Sequence, residues 1–120
     1  MKSLEESCTK QFMGAWGHIT SRLYKGISEN LEALRWTPDD ERLWAFMADV
    51  VEEQRYFAIR PWPETELSQK LKDYQKDLQT LEDAIVARNT EAVRTAALKA
   101  YDTAAKAVLS DYCSCMNKSK

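Results

Sequence analysis

The side chains able to do chemistry are few. The chain of 120 residues holds one histidine, His18, and three cysteines, Cys8, Cys113 and Cys115. A carboxylate-bridged di-iron site built on helices needs two Glu-x-x-His turns, and the position three before His18 is Ala15. There is no Cys-x-x-Cys-His run for covalent haem. Non-covalent haem between His18 and Met47 is the remaining arrangement, and nothing fixes its second ligand. Cys8 and His18 fall on one predicted helix about 15 Å apart along its axis, too far for a nucleophile and its base. Gly-rich phosphate loops, zinc spacings and a serine nucleophile elbow are also missing from the sequence. The acidic runs Asp39-Asp40-Glu41 and Glu52-Glu53 read as helix-dipole capping and solvated surface. These residues predict a protein that is not an enzyme and holds no cofactor and no metal.

The elements that position these residues are predicted to be helices. All three glycines, Gly14, Gly17 and Gly26, lie in the first quarter, and no Asn-Gly, Asp-Gly or Gly-Gly pair is present to turn a hairpin. Pro38, Pro61 and Pro63 separate long proline-free stretches. Phe12, Trp16, Ile19, Leu23, Ile27, Leu31 and Leu34 line one face of a helix over about 8–34. Gly14, Gly17 and Gly26 in it either admit a close neighbour or mark a bend. A second helix, about 38–59, is expected to be capped by Thr37 with Pro38 in its first turn. Its stripe is Leu43, Met47, Val50, Gln54 and Phe57, flanked by Phe46 and Val51. Leu67, Leu71, Tyr74, Leu78, Leu81 and Ile85 define a third helix, about 64–88. Asn89 is expected to take the left-handed conformation after it, with Thr90 capping the fourth helix, about 91–112. Val93, Ala97, Ala100, Ala104, Ala107 and Val108 give that helix a small-residue face. Four helices with short connections predict an all-α fold, a single up-down-up-down four-helix bundle spanning 1–120, with a polar tail at 113–120 that frays unless a disulfide holds it.

In such a bundle the start of the first helix and the end of the fourth share one end, so Cys8 becomes a neighbour of Cys113 or Cys115. A disulfide with either one implies an oxidising compartment; three free thiols imply a cytoplasmic one. The formal net charge of −2 argues against nucleic-acid binding, which needs a basic face. No apolar run approaches the roughly 18 residues of a membrane span. The opening Met1-Lys2-Ser3-Leu4-Glu5-Glu6-Ser7 has no apolar core of a targeting peptide, so either none exists or one has been removed.

Function is therefore sought on the surface. Arg60-Pro61-Trp62-Pro63 presents a cation and an aromatic ring on a stiff corner, the pairing enriched at binding hot spots. Lys70, Lys72 and Lys76 follow on helix three. Of the other tryptophans, Trp16 fits the core, Trp44 borders it and Trp36 stands at a helix boundary. A small-ligand pocket between Trp16, Phe46 and the alanines of helix four is a further possibility.

The stretch from Trp36-Thr37-Pro38 through the lysine- and leucine-rich third helix to Leu81-Glu82-Asp83-Ala84-Ile85-Val86-Ala87-Arg88-Asn89-Thr90-Glu91-Ala92-Val93 resembles the PsbQ-type extrinsic subunits of photosystem II. The shared pattern is a Trp before helix two, an Asp-, Ala- and Arg-rich end to helix three, a short turn, and an Ala-rich fourth helix with a Tyr, here Tyr101. Cys113-Ser114-Cys115 lies outside that pattern. The resemblance implies a cofactor-free four-helix bundle in the thylakoid lumen. It would dock on lumenal photosystem II subunits, reach the membrane only through them, and help retain Ca²⁺ and Cl⁻ for water oxidation. Arg60, Trp62, Lys70, Lys72 and Lys76 are the expected partner-binding residues. The alternative is a stand-alone helical adaptor or inhibitor that binds one partner protein.

Overall fold

The computed structural model describes residues 4–59 and 67–118, with side chains for 4–56 and 72–118. Every element among them is helical: α1 (Leu4–Gly17), a π-helical segment (His18–Tyr24), α2 (Lys25–Trp36), α3 (Glu41–Ile59), α4 (Leu67–Val86) and α5 (Thr90–Lys118). Gly17, Tyr24 and Lys25 keep right-handed helical angles, so α1, the π segment and α2 form one continuous rod. The fold is an all-α four-helix bundle. The rod packs against α3 and α5, α3 packs on α4, and α4 runs along α5; among the described residues the backbones of the diagonal pairs do not come close. The molecule measures 53 × 25 × 19 Å.

The core is the predicted set of stripes meeting at the axis. Ile19, Leu23, Ile27, Leu31 and Leu34 from the rod face Met47, Val50 and Val51 of α3 and Tyr74, Leu78, Leu81 and Ile85 of α4. The α5 side supplies Val93, Ala97, Ala100, Ala104 and Val108, and the small residues let its neighbours approach. Trp44, expected at the border of the core, is buried in it, whereas Phe46 is half exposed. Phe12 and Trp16 are only partly buried against the cluster. Phe57, Leu67 and Leu71 lie outside the described side chains.

The first helix departs from a plain α-helix for a readable reason. Ile19, Leu23, Ile27 and Leu31 succeed each other in steps of four, and a straight α-helix drifts by about 40° per such step. The wider π turns take up that drift and keep these side chains on the core. Locally, the Thr20 hydroxyl donates to the carbonyls of Trp16 at 2.8 Å and Gly17 at 3.3 Å, and the Lys25 amide donates to the Thr20 carbonyl, a five-residue π bond. Of the glycines, only Gly26 has a neighbour for an added Cβ, Val50 Cγ2 at 3.5 Å; Gly14 and Gly17 face open space.

Three boundary expectations are corrected. The cap of α3 is Asp40, whose carboxylate accepts from the Arg42 amide at 3.0 Å; Thr37 instead closes a turn and donates its hydroxyl to the Ala33 carbonyl. After α4 the left-handed residue is Arg88, with φ 58°, not Asn89. The Asn89 amide bonds the Ala84 carbonyl and the Arg88 amide the Ile85 carbonyl, a Schellman ending. Asn89, not Thr90, then caps α5 through Oδ1 to the Ala92 amide at 3.1 Å. Arg88 is held in its unusual conformation by an ion pair with Glu41 and by lying 5.2 Å over the Trp44 ring.

The disulfide-held form of the tail is the one found, and α5 runs past its expected end near 112 to Lys118. It is held there by a disulfide between Cys8 and Cys115, with Cα atoms 5.8 Å apart, while Cys113 is free and exposed. The bridge spans 107 residues of sequence, and by loop-closure entropy such a link is worth up to about 4–5 kcal/mol.

Candidate docking surface

Lys72 and Lys76 stand one helical turn apart on α4, and both are exposed. Arg60 and Trp62 lie outside the described residues, as does the side chain of Lys70. Lys76 borders a groove of about 510 Å³ between α4 and α5, lined also by Asp73, Asp77, Thr80, Lys99, Asp102, Thr103 and Lys106. Three lysines and three aspartates thus share one surface. Lys99 approaches Asp77 at 3.6 Å and Lys106 pairs with Asp102 at 2.9 Å.

Asp77 anchors this groove from below. Its side chain is only 10% exposed, and it accepts a 2.5 Å hydrogen bond from the Thr103 hydroxyl. A buried carboxylate needs such partners, because losing water without them costs several kcal/mol. Lys99, Thr103 and Lys106 were not anticipated from sequence. Their spacing of four and three on α5 was the available signal, overshadowed by the alanine stripe on the adjoining face.

On the α3 side of α4, a polar chain crosses the core. The Tyr74 hydroxyl donates to Gln54 Oε1 at 2.7 Å, and Gln54 Nε2 lies 3.1 Å from His18 Nδ1. Because Tyr74 occupies the amide oxygen, Gln54 donates to Nδ1, and neutral His18 carries its proton on Nε2. That atom faces Glu53 at 3.8 Å, and Arg22 reaches the same carboxylate at 3.5 Å. Gln54 is fully buried, and burial pushes the Tyr74 phenol well above its ordinary value. None of these five residues lines the α4–α5 groove or a smaller groove of about 240 Å³ between α2 and α5. The hydrogen bonds of this polar chain tie the π segment, α3 and α4 together.

Met47 is wholly buried, and the Nδ1 of His18 is taken by Gln54. Among the described residues no group of three His, Cys, Asp or Glu side chains is placed to hold a metal ion. Trp16 packs on Phe12 and Tyr101, 5.7 and 6.3 Å between ring centroids. Phe46 lies instead near Gly26 at the rod–α3 contact, so the two rings do not frame a common pocket. No described helix is long and apolar enough to cross a membrane. Comparison with protein-family models, with curated proteins and with solved structures finds no match.

Proposed function

We propose that this chain is a non-catalytic accessory subunit that docks on the lumenal face of photosystem II and supports Ca²⁺ and Cl⁻ retention there. The observation that carries this reading is the exposed Lys72–Lys76 row on a disulfide-clamped bundle. The clamp fits an oxidising compartment, and the row suits an acidic partner surface. The resemblance over Trp36 to Val93 supplies the identity of that partner. Asp77 and Asp102 offset Lys99 and Lys106; in this reading Lys72 and Lys76, with Lys70, Arg60 and Trp62, set the attraction.

The test is a rebinding and release assay on photosystem II membranes. A Lys70/Lys72/Lys76→Gln variant and a Trp62→Ala variant should each release at lower salt than wild type. Rebinding of both variants like wild type across the salt series would remove this face from consideration. If wild type itself fails to rebind specifically, the helical adaptor or inhibitor becomes the better account.

A further inference from the structure

We propose that the Cys8–Cys115 disulfide is a redox latch: it holds α1 on the bundle, and its reduction by a dithiol releases α1 while α2 to α5 stay folded. Cys8 is the only fully buried side chain of α1. Among the described residues, α1 packs along α5 and against its own π segment and approaches neither α3 nor α4. Besides the disulfide, its cross-helix contacts include Phe12 on Tyr112 at 4.7 Å, Trp16 on Tyr101 at 6.3 Å, and Thr9 near the Tyr112 hydroxyl at 3.5 Å.

Helix α1 is also weak in itself. Gly14 and Gly17 lie in it with open space where a Cβ would sit, so packing gives no reason for them, and each lowers helix stability relative to alanine. Its C-terminal end meets the π segment directly, where the hydrogen-bond ladder changes register. A glycine-bearing helix with one buried anchor, ending where the ladder changes register, undocks as a unit once the anchor is cut. The other elements keep the core cluster from Ile19 onward, which includes no residue of α1 among its buried members.

Chemically the release is an ordinary exchange. Cys8 is 1% exposed, whereas Cys115 is partly exposed, so the incoming thiolate attacks Cys115 Sγ. The S–S bond breaks and Cys8 leaves as a thiolate that takes up a proton. The second thiol of the reductant then attacks the mixed disulfide at the reductant's own sulfur and frees Cys115. Two electrons pass to the protein, and the dithiol ends as a disulfide. The matching agent is a dithiol oxidoreductase.

Hydrogen exchange on the full chain tests this, in a Cys113→Ser background that prevents disulfide shuffling. Dithiothreitol should bring the amides in residues 8–17 to nearly unprotected exchange, while α3 and α4, although less protected once the 107-residue loop is opened, stay at least about 10-fold better protected than α1. Reoxidation should restore protection. Unchanged exchange in 8–17 would overturn the proposal. So would a fall of α3 and α4 protection to the level of α1, or complete unfolding on reduction, since either makes the bridge a support of the whole fold. A Cys115→Ser chain measured without reductant should reproduce the reduced pattern, and full protection of its α1 would contradict the latch.

Discussion

Gln54 is out of contact with solvent, yet its amide has both a donor and an acceptor to satisfy. Tyr74 and His18 meet them from two other helices. Replacing Gln54 with Leu strands the buried Tyr74 hydroxyl, at an expected cost of about 1–3 kcal/mol in urea unfolding. Tyr74→Phe should cost about as much, because it leaves the Gln54 carbonyl unpaired. The double variant should fall short of the sum by at least about 0.5 kcal/mol, since each single change already breaks the same bond. The phenol adds a pH signature. Burial raises its folded pKa above the unfolded value of about 10. The native state therefore keeps the proton where the unfolded chain loses it. The contribution of Tyr74 is complete below pH about 10 and declines as pH rises beyond that. Tyr74→Phe should flatten the alkaline loss of stability, and an equal slope in both proteins would contradict the assignment.

At the level of elements, the stripes on α3, α4 and α5 were legible because burial repeats with the helical period, and Met47, Leu78 and Ala100 all fall where the pattern puts them. The ends were harder. Thr37-Pro38 carries a strong cap signal, but Thr37 bonds back to Ala33 and the aspartate three residues later caps instead. Hydrogen bonds from the Arg42 side chain and then its amide hold the Asp40 carboxyl below the usual carboxylate range. That contribution is present above the ordinary carboxylate pKa and is lost as pH falls through the lowered one. Asp40→Ala should lower the melting temperature by a few degrees, and Thr37→Ala by much less; the reverse order would restore Thr37 as the cap. The Arg88 turn was hidden for another reason. Its left-handed angle is held by Glu41 and Trp44, which sit more than 40 residues away in sequence, so no local signal marks it. The π segment follows from the long run of four-residue steps. Gly14 and Gly17, left undecided between close packing and a bend, have no packing neighbour. Gly14→Ala and Gly17→Ala should each stabilise α1 by about 0.5–1 kcal/mol, read as slower local exchange in that helix. A loss of stability would mean that these glycines are needed where they stand.

On the scale of the whole molecule, α4 and α5 form one side of a rod 53 Å long. The Cys8–Cys115 bridge that joins the first and last helices at one end of the bundle was foreseeable from topology. Which of the two C-terminal cysteines pairs was not, because that depends on how far α5 extends and how it is turned toward α1. The exposure of Lys72 and Lys76 was legible, but the aspartates and the Lys99–Lys106 pair beside them emerge only when α5 is laid along α4. That mixed surface gives the docking proposal a quantitative character: few net charges are available, so attraction should be moderate and easily screened. The most direct measurement is equilibrium binding of the oxidised wild-type chain to photosystem II membranes stripped of their extrinsic subunits, followed over a salt series. Saturable binding that weakens steadily as salt rises is the predicted result. Binding that is absent, unsaturable or indifferent to salt would contradict the account.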